Sequence, residues 1–258
     1  MKKLALFLFL LLGILKVSAC SCVMNTLAQN YLEANVVGVI KILKVYDENP
    51  EQRTYKADVE FEKVYKGTKF TTLNVRGLIG KSSSAACEKE VKPNERYLIL
   101  LSGSNNQYSI SSCSPMSRLK DEATKDEDSQ LETLNKAFSY LNQNKFKFKG
   151  AQFVYYYDEK QGNNPKSELS KISDFNPKQP FAIYKVTLND SFKIKGMSPV
   201  IAFSSKDKTI EGIMKRNITV ETPMYRDTSK KKEYLILLFY NKHNINIPDK
   251  EVISDYWQ

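Results

Sequence analysis

Four cysteines, Cys20, Cys22, Cys87 and Cys113, carry the most distinctive chemistry in this 258-residue chain, and all four lie in its first half. An even count in an oxidising compartment implies two disulfides. Cys20 and Cys22 are one residue apart, too close and constrained to bond readily with each other, so each is expected to reach forward to a distant partner. The sole histidine, His243 in "NKHNINI", excludes histidine clusters, HExxH and any plural-histidine metal site within one chain. A nucleophile, histidine and acid arrangement needs only one, but neither a GxSxG elbow nor a papain-like cysteine context accompanies it, so His243 reads as a loop residue. GxGxxG and GxxxxGK are both absent. An enzyme is therefore the weakest class, and no cofactor is expected.

The elements that must position these residues start with a leader. Residues 1–19 read as a signal peptide: Lys2 and Lys3 form the charged start, Leu4 to Leu15 the apolar core, and Val17-Ser18-Ala19 the small-residue cleavage site. The apolar run is too short for a spanning helix, and no other stretch approaches that length, so no membrane span is expected. The formal charge of +10 falls to about +7 once Lys2, Lys3 and Lys16 leave with the leader. The excess is lysine scattered among Asp and Glu, with only six arginines. Nucleic-acid readers use clustered basic residues and arginine, so a solvated lysine surface is expected and nucleic acid is not a partner. The Lys, Asn, Ile and Tyr richness suggests a bacterial protein from an AT-rich genome.

"NTLAQNYLEAN" places Leu27, Ala28, Tyr31 and Leu32 at helical spacing. Strand-like runs follow at 36–46, 54–65, 70–77, 96–103 and 107–113, separated by polar loops such as "DENPEQ". Five strands in so short a span predict a small closed or nearly closed barrel. Then Leu131, Leu134, Phe138 and Leu141 mark an amphipathic helix capped by Asp128 or Ser129. The acidic run at 121–128 lacks the glycine and alternating ligands of a calcium loop and reads as a solvated helix start. Strand character continues beyond residue 145 in "AQFVYYYDE", "FAIYKVTLNDSFKIKG", "PVIAFSS" and "KEYLILLFYNK". Tyr155, Tyr156 and Tyr157 read as an ordinary strand rather than a stacking platform. Two echoes link the halves: "YKADVEFEKVYKG" (55–67) with "YKVTLNDSFKIKG" (184–196), and "RYLILL" (96–101) with "EYLILL" (233–238). A worn internal duplication and chance similarity between strands of biased composition both remain open.

"Cys20-Ser21-Cys22-Val23", "QNYLEANVVGVIKILKV", "FEKVYKG", "SSSAACEKE" around Cys87, "ERYLILLSG" and the late Cys113 together resemble the inhibitory domain of the tissue inhibitors of metalloproteinases, which are netrin-like modules. The resemblance runs in register over residues 20–142. It implies a mainly β fold, a netrin-like OB-type five-stranded barrel with flanking helices, followed at 145–258 by a smaller cysteine-free β-rich domain. It implies disulfides Cys20–Cys87 and Cys22–Cys113. It also implies a partner, a zinc metalloprotease, and a mechanism. The amine and carbonyl of an N-terminal Cys20 form a bidentate chelator for a zinc ion with an open position, held by the target in trans. An α-amino pKa near 7.7–8.0 keeps the neutral amine within reach at physiological pH. Ser21 would enter the specificity pocket, Cys22, Val23 and Met24 would follow along the primed side, and Ser84, Ala85 and Ala86 would fill the other side. The chain departs from the vertebrate pattern at Leu32, where a cysteine is usual, so a third disulfide is missing. It departs again at Met24, where proline is common, and in the second half, which has no cysteines.

Val17-Ser18-Ala19-Cys20 also fits a bacterial lipobox, in which Cys20 is alkylated on sulfur and acylated on its amine. That modification would remove both the chelator and one disulfide partner, leaving an odd thiol. Two functions are thus expected from one stretch. The first is a secreted metalloprotease inhibitor; the alternative is a netrin-like adhesion or scaffold module, lipid-anchored to the outer membrane through Cys20 and without inhibitory activity.

Overall fold

The computed structural model describes residues 22, 25–81, 87–103, 107–159, 168–172, 174–221, 233–241, 252–255 and 257. The predicted signal peptide and His243 lie outside them. The described chain is mainly β. Helix α1 (Leu27–Glu33) starts at Thr26, whose hydroxyl accepts from the Gln29 N–H. Strands β1 (Val36–Asn49), β2 (Thr54–Lys66), β3 (Thr72–Arg76), β4 (Arg96–Leu101), β5 (Ser109–Ile110) and β6 (Met116–Arg118) form one sheet in the order β5-β3-β2-β1-β4-β6. Each of the five predicted runs overlaps one of these strands, while β6 carries no periodic signal because it is three residues long. Gly67 ends β2 at φ +78°, and a Cβ there would lie 2.1 Å from the Asn35 carbonyl oxygen, so only glycine allows this turn to pass the start of β1.

This sheet is curled, and the chain's own connectivity requires it. Six strands laid flat would set β5 and β6 about 24 Å apart. Yet only residues 111–115 join them, folded back by a Ser114 N–H to Ser111 carbonyl bond of 3.1 Å. The concave face holds Val36, Ile40, Ile42, Tyr55, Leu73 and Ile99 among a wholly buried cluster.

Helix α2 (Lys125–Gln143) begins earlier than the sequence suggests, because Thr124 and not Asp128 or Ser129 caps it, accepting from the Glu127 N–H. The acidic residues 126–128 then form its first turn, where the helix dipole favours them. Glu127 is not solvated, however. Its side chain is 3% exposed and takes the Arg96 guanidinium at 2.7 Å and the Lys120 N–H at 3.0 Å. Arg96 also binds Glu62 at 2.7 Å and donates to the Lys120 carbonyl, so this buried cation ties the sheet to the helix.

The second half adds β7 (Tyr155–Asp158), β8 (Phe181–Leu188), β9 (Ile194–Ile201), α3 (Asp207–Asn217), β10 (Ile218–Glu221), β11 (Glu233–Asn241) and β12 (Val252–Ser254). β7 pairs with β10, and the others form a sheet ordered β12-β11-β8-β9. The tyrosine triplet is thus a strand, as expected. Helix α3 was missed, although Ile210, Ile213, Met214 and Asn217 bury one face at helical spacing.

The "YKADVEFEKVYKG" echo is not structural. That segment is β2 and its turn, whereas 184–196 runs from β8 through a turn into β9. Asn189 stands where β2 continues, and its side-chain oxygen accepts from the Ser191 and Lys193 N–H groups, closing an Asx turn that breaks the strand. The shorter echo sits in comparable places: β4 lies antiparallel beside β1, and β11 antiparallel beside β8.

Both sheets are buried on two faces. Val37, Val39, Leu98 and Leu100 of the first, and Phe181, Ile183, Leu235, Leu237 and Phe239 of the second, pack with α1, α2 and Trp257 into a central core. The expected stripe of α2, Leu131, Leu134, Phe138 and Leu141, lies in it, with Phe138 stacked on Tyr31 at 4.2 Å. The residues 20–142 and 145–258 therefore share this layer. A third cluster fills the far side of the second sheet, around Tyr184, Phe203, Met214 and Ile236.

Candidate functional site

The structure brings three of the four cysteines to one end of the curled sheet. Cys113 lies in the 111–115 turn between β5 and β6, with its N–H donating to the Ser111 hydroxyl at 3.2 Å. The Ser111 N–H in turn donates to the Ser114 hydroxyl at 2.9 Å, an ordered hydroxyl turn. Cys113 is bonded to Cys22, with Cα atoms 5.2 Å apart, as expected from the resemblance. Adjacent to it, the Ser112 N–H donates to the Cys87 carbonyl at 3.2 Å. Cys87 is also disulfide-bonded. Its expected partner, Cys20, lies outside the described residues.

Cys87 sits at φ +70°, a left-handed conformation unusual for a side chain with a Cβ, so its surroundings must hold it there. They do so from several sides. The Glu88 side chain is 3% exposed and forms a bidentate pair with Arg53, from the β1–β2 turn. This pairing raises the Arg53 pKa, chiefly through the hydrogen bond to Glu88. Tyr55 donates to the Lys89 carbonyl at 3.3 Å and accepts from the Val91 N–H at 2.9 Å, and burial pushes its phenol up to about 12. The Lys89 N–H donates to the Arg76 carbonyl at 2.8 Å. Gly77 allows this approach, since a Cβ there would lie 2.6 Å from the Lys89 oxygen. The backbone from 87 to 91 is thus clamped to β2 and β3.

The described cysteines flank both segments expected to contact a protease: Cys22 borders 23–24, and Cys87 borders 84–86. Ser21, Val23, Met24, Ser84, Ala85 and Ala86, like the Cys20 amine offered as the zinc ligand, lie outside the described residues. Sequence reasoning missed the clamp itself. Arg53 and Glu88 are 35 residues apart, and no local pattern announces their pairing. Beside Cys113 a polar recess of about 320 Å³ is lined by Asn25, Asn30, Glu33, Ser102, Ser111 and Ser114, among others. The Glu33 carboxylate in it already accepts from Gln29 at 2.5 Å and from Asn25 at 3.3 Å.

A larger cleft of about 730 Å³ lies between Glu132 and Lys136 of α2 and the 174–180 segment, with Phe175 and Tyr240 in its wall. Among the described residues, no group of three or more His, Cys, Asp or Glu side chains is placed to hold a metal ion, and no helix is long and apolar enough to cross a membrane. No protein-family model matches the chain, and no curated protein matches it.

Proposed function

We propose that the chain is a secreted inhibitor of zinc metalloproteases, built on a netrin-like OB-type barrel, whose N-terminal Cys20 chelates the target's catalytic zinc through its amine and carbonyl. The observation that carries this reading is the convergence of Cys22, Cys87 and Cys113. A protein wedge needs its two contact segments held side by side without freedom to lose on binding. The residues bordering 23–24 and 84–86 meet on one turn and one strained, clamped backbone. The curled sheet behind them is what an OB-type barrel requires, and the shared central core gives the second half a supporting role. In this reading the partner is a protein, the inhibitor needs no cofactor, and the zinc belongs to the protease.

The alternative, an adhesion or scaffold module lipidated on Cys20, draws on the lipobox-like Val17-Ser18-Ala19-Cys20. The oxidised state of Cys87 favours the first reading, because alkylation of the Cys20 sulfur would leave Cys87 without an expected partner. Extending the mature chain by one alanine before Cys20 distinguishes them. The extension replaces the chelating amine by an amide while leaving the fold and disulfides in place. Against a panel of zinc metalloproteases the mature chain should inhibit at least one, and the extended chain should bind it more weakly by several kcal/mol, the scale of a hot spot. Equal potency refutes chelation. No inhibition by protein with a proven free N-terminus favours the scaffold.

A further inference from the structure

Directly after α2 the chain forms a single 3₁₀ turn, Lys145–Phe148, within "KFKFK". Phe148 is 4% exposed and packs against Phe153 and Tyr140, with ring centroids 5.6 and 6.4 Å away. That anchor directs its neighbour outward: Phe146 is 80% exposed, far more than any other exposed large apolar side chain among the described residues. Lys145, Lys147 and Lys149 are exposed around it, and Lys145 reaches over the Phe146 ring at 5.6 Å. Lys66 joins the group. Its ammonium caps the carbonyls of Tyr31 and Leu32 at the end of α1, and its pKa is lowered by burial and by the nearby charge of Lys145.

Some lysines of this protein are paired with acidic side chains. Lys44, Lys56, Lys92, Lys185, Lys193 and Lys215 each sit against a carboxylate. Among the described residues, no such pair involves Lys66, Lys145, Lys147 or Lys149. The acidic turn of α2 is at its opposite end, about 25 Å away at the helical rise. Nor is this cluster consumed in completing α2, because Asn144 takes the Tyr140 carbonyl with its own N–H and side-chain amide.

We propose that the Lys145–Lys149 turn is a membrane-contact site, in which Phe146 enters the interface of a bilayer while Lys145, Lys147 and Lys149 bind anionic phospholipid headgroups. An exposed aromatic on a surface turn needs a partner that yields to its shape, and a bilayer does so without offering a preformed pocket. The surrounding unpaired cations supply the second attraction that one apolar side chain lacks. This inference is independent of the protease-inhibitor reading and of any lipid on Cys20.

The test uses the mature chain, shown by intact mass to carry no acyl group, in co-sedimentation with phosphatidylcholine vesicles with and without phosphatidylglycerol. Binding is expected only to the anionic vesicles and should weaken as salt rises. Neutralising Lys145 and Lys147 to Gln should weaken it roughly fivefold for each charge, and Phe146→Ser roughly tenfold, with the melting temperature unchanged. Should Phe146→Ser fail to fold, Phe146→Trp serves, its emission shifting blue on anionic vesicles alone. The proposal is overturned by no binding at low salt, by equal binding to neutral vesicles, or by variants that bind like the parent. Binding to a soluble polyanion such as dextran sulfate without binding to vesicles also overturns it, in favour of an acidic macromolecular partner.

Discussion

Replacing Cys22 and Cys113 together by serine removes one crosslink while leaving Cys87 in its own disulfide. The bond spans 91 residues of sequence. In the chain-entropy model a loop of that length restrains the unfolded chain by about 4.6 kcal/mol at 25 °C. The remaining crosslink at Cys87 and residual contacts in the unfolded chain offset part of this, so the expected loss is about 3–4 kcal/mol. Equilibrium unfolding in guanidinium, followed by circular dichroism, gives both numbers needed. The midpoint should fall, and the dependence on denaturant should steepen, because the uncrosslinked unfolded chain exposes more surface. Inside the fold, the 111–115 turn keeps its Ser111 and Ser114 hydrogen bonds, so the native sheet should stay curled and its spectrum unchanged. A loss below about 1 kcal/mol, with an unaltered denaturant dependence, would refute the loop-entropy reasoning and show that β5 and β6 are held by the curled sheet alone.

Two further outcomes follow from buried charges. Arg96→Met should destabilise by about 3–5 kcal/mol by stranding Glu127, and adding Glu127→Leu should recover more than half of that loss in the same unfolding assay. Asp255, whose carboxyl is pushed up to about 7, first by burial and less by the charge of Glu221, should ionise only near neutrality. Its folded pKa exceeds the unfolded value of about 3.9, so the folded state prefers the proton; stability contributed at acid pH declines as pH rises from about 4 to about 7 and stays low above that. Asp255→Asn should therefore flatten that decline, raising stability at pH 8 relative to the parent by up to about 4 kcal/mol in thermal melts across pH. An unchanged pH profile would show that Asp255 is solvated.

What was legible in the sequence was what repeats locally. The α2 stripe and the strands of "VVGVIKILKVY" and "TYKADVEFEKVY" announce themselves because each turn or alternate residue returns to the same face. Thr124 was passed over as a cap because Asp128 and Ser129 sit nearer the apolar stripe, and nothing local shows that Glu127 faces Arg96. The two-residue β5 and three-residue β6 are too short for any period, yet they form the two edges of the curled sheet. The similarity of 55–67 to 184–196 misled because both are Lys- and Tyr-rich alternating runs, while one Asn189 side chain decides that the second must turn. At the candidate site the cysteines were legible, but the Arg53 to Glu88 clamp joins positions that only the folded sheet places together.

The central core has a temporal consequence. Its walls include β1 and β4, synthesised early, and Phe181, Leu235, Phe239 and Trp257, synthesised much later. Chains fold from the N-terminus as they are made, so the curled sheet can form while the outer faces of Val37, Val39, Leu98 and Leu100 still have no cover. Until residue 257 has emerged, the first half is a formed curled sheet with an open greasy back. During that interval it must either be chaperoned or wait in the company of its own nascent second half, and a ribosome stalled between 145 and 235 would release a species primed to aggregate.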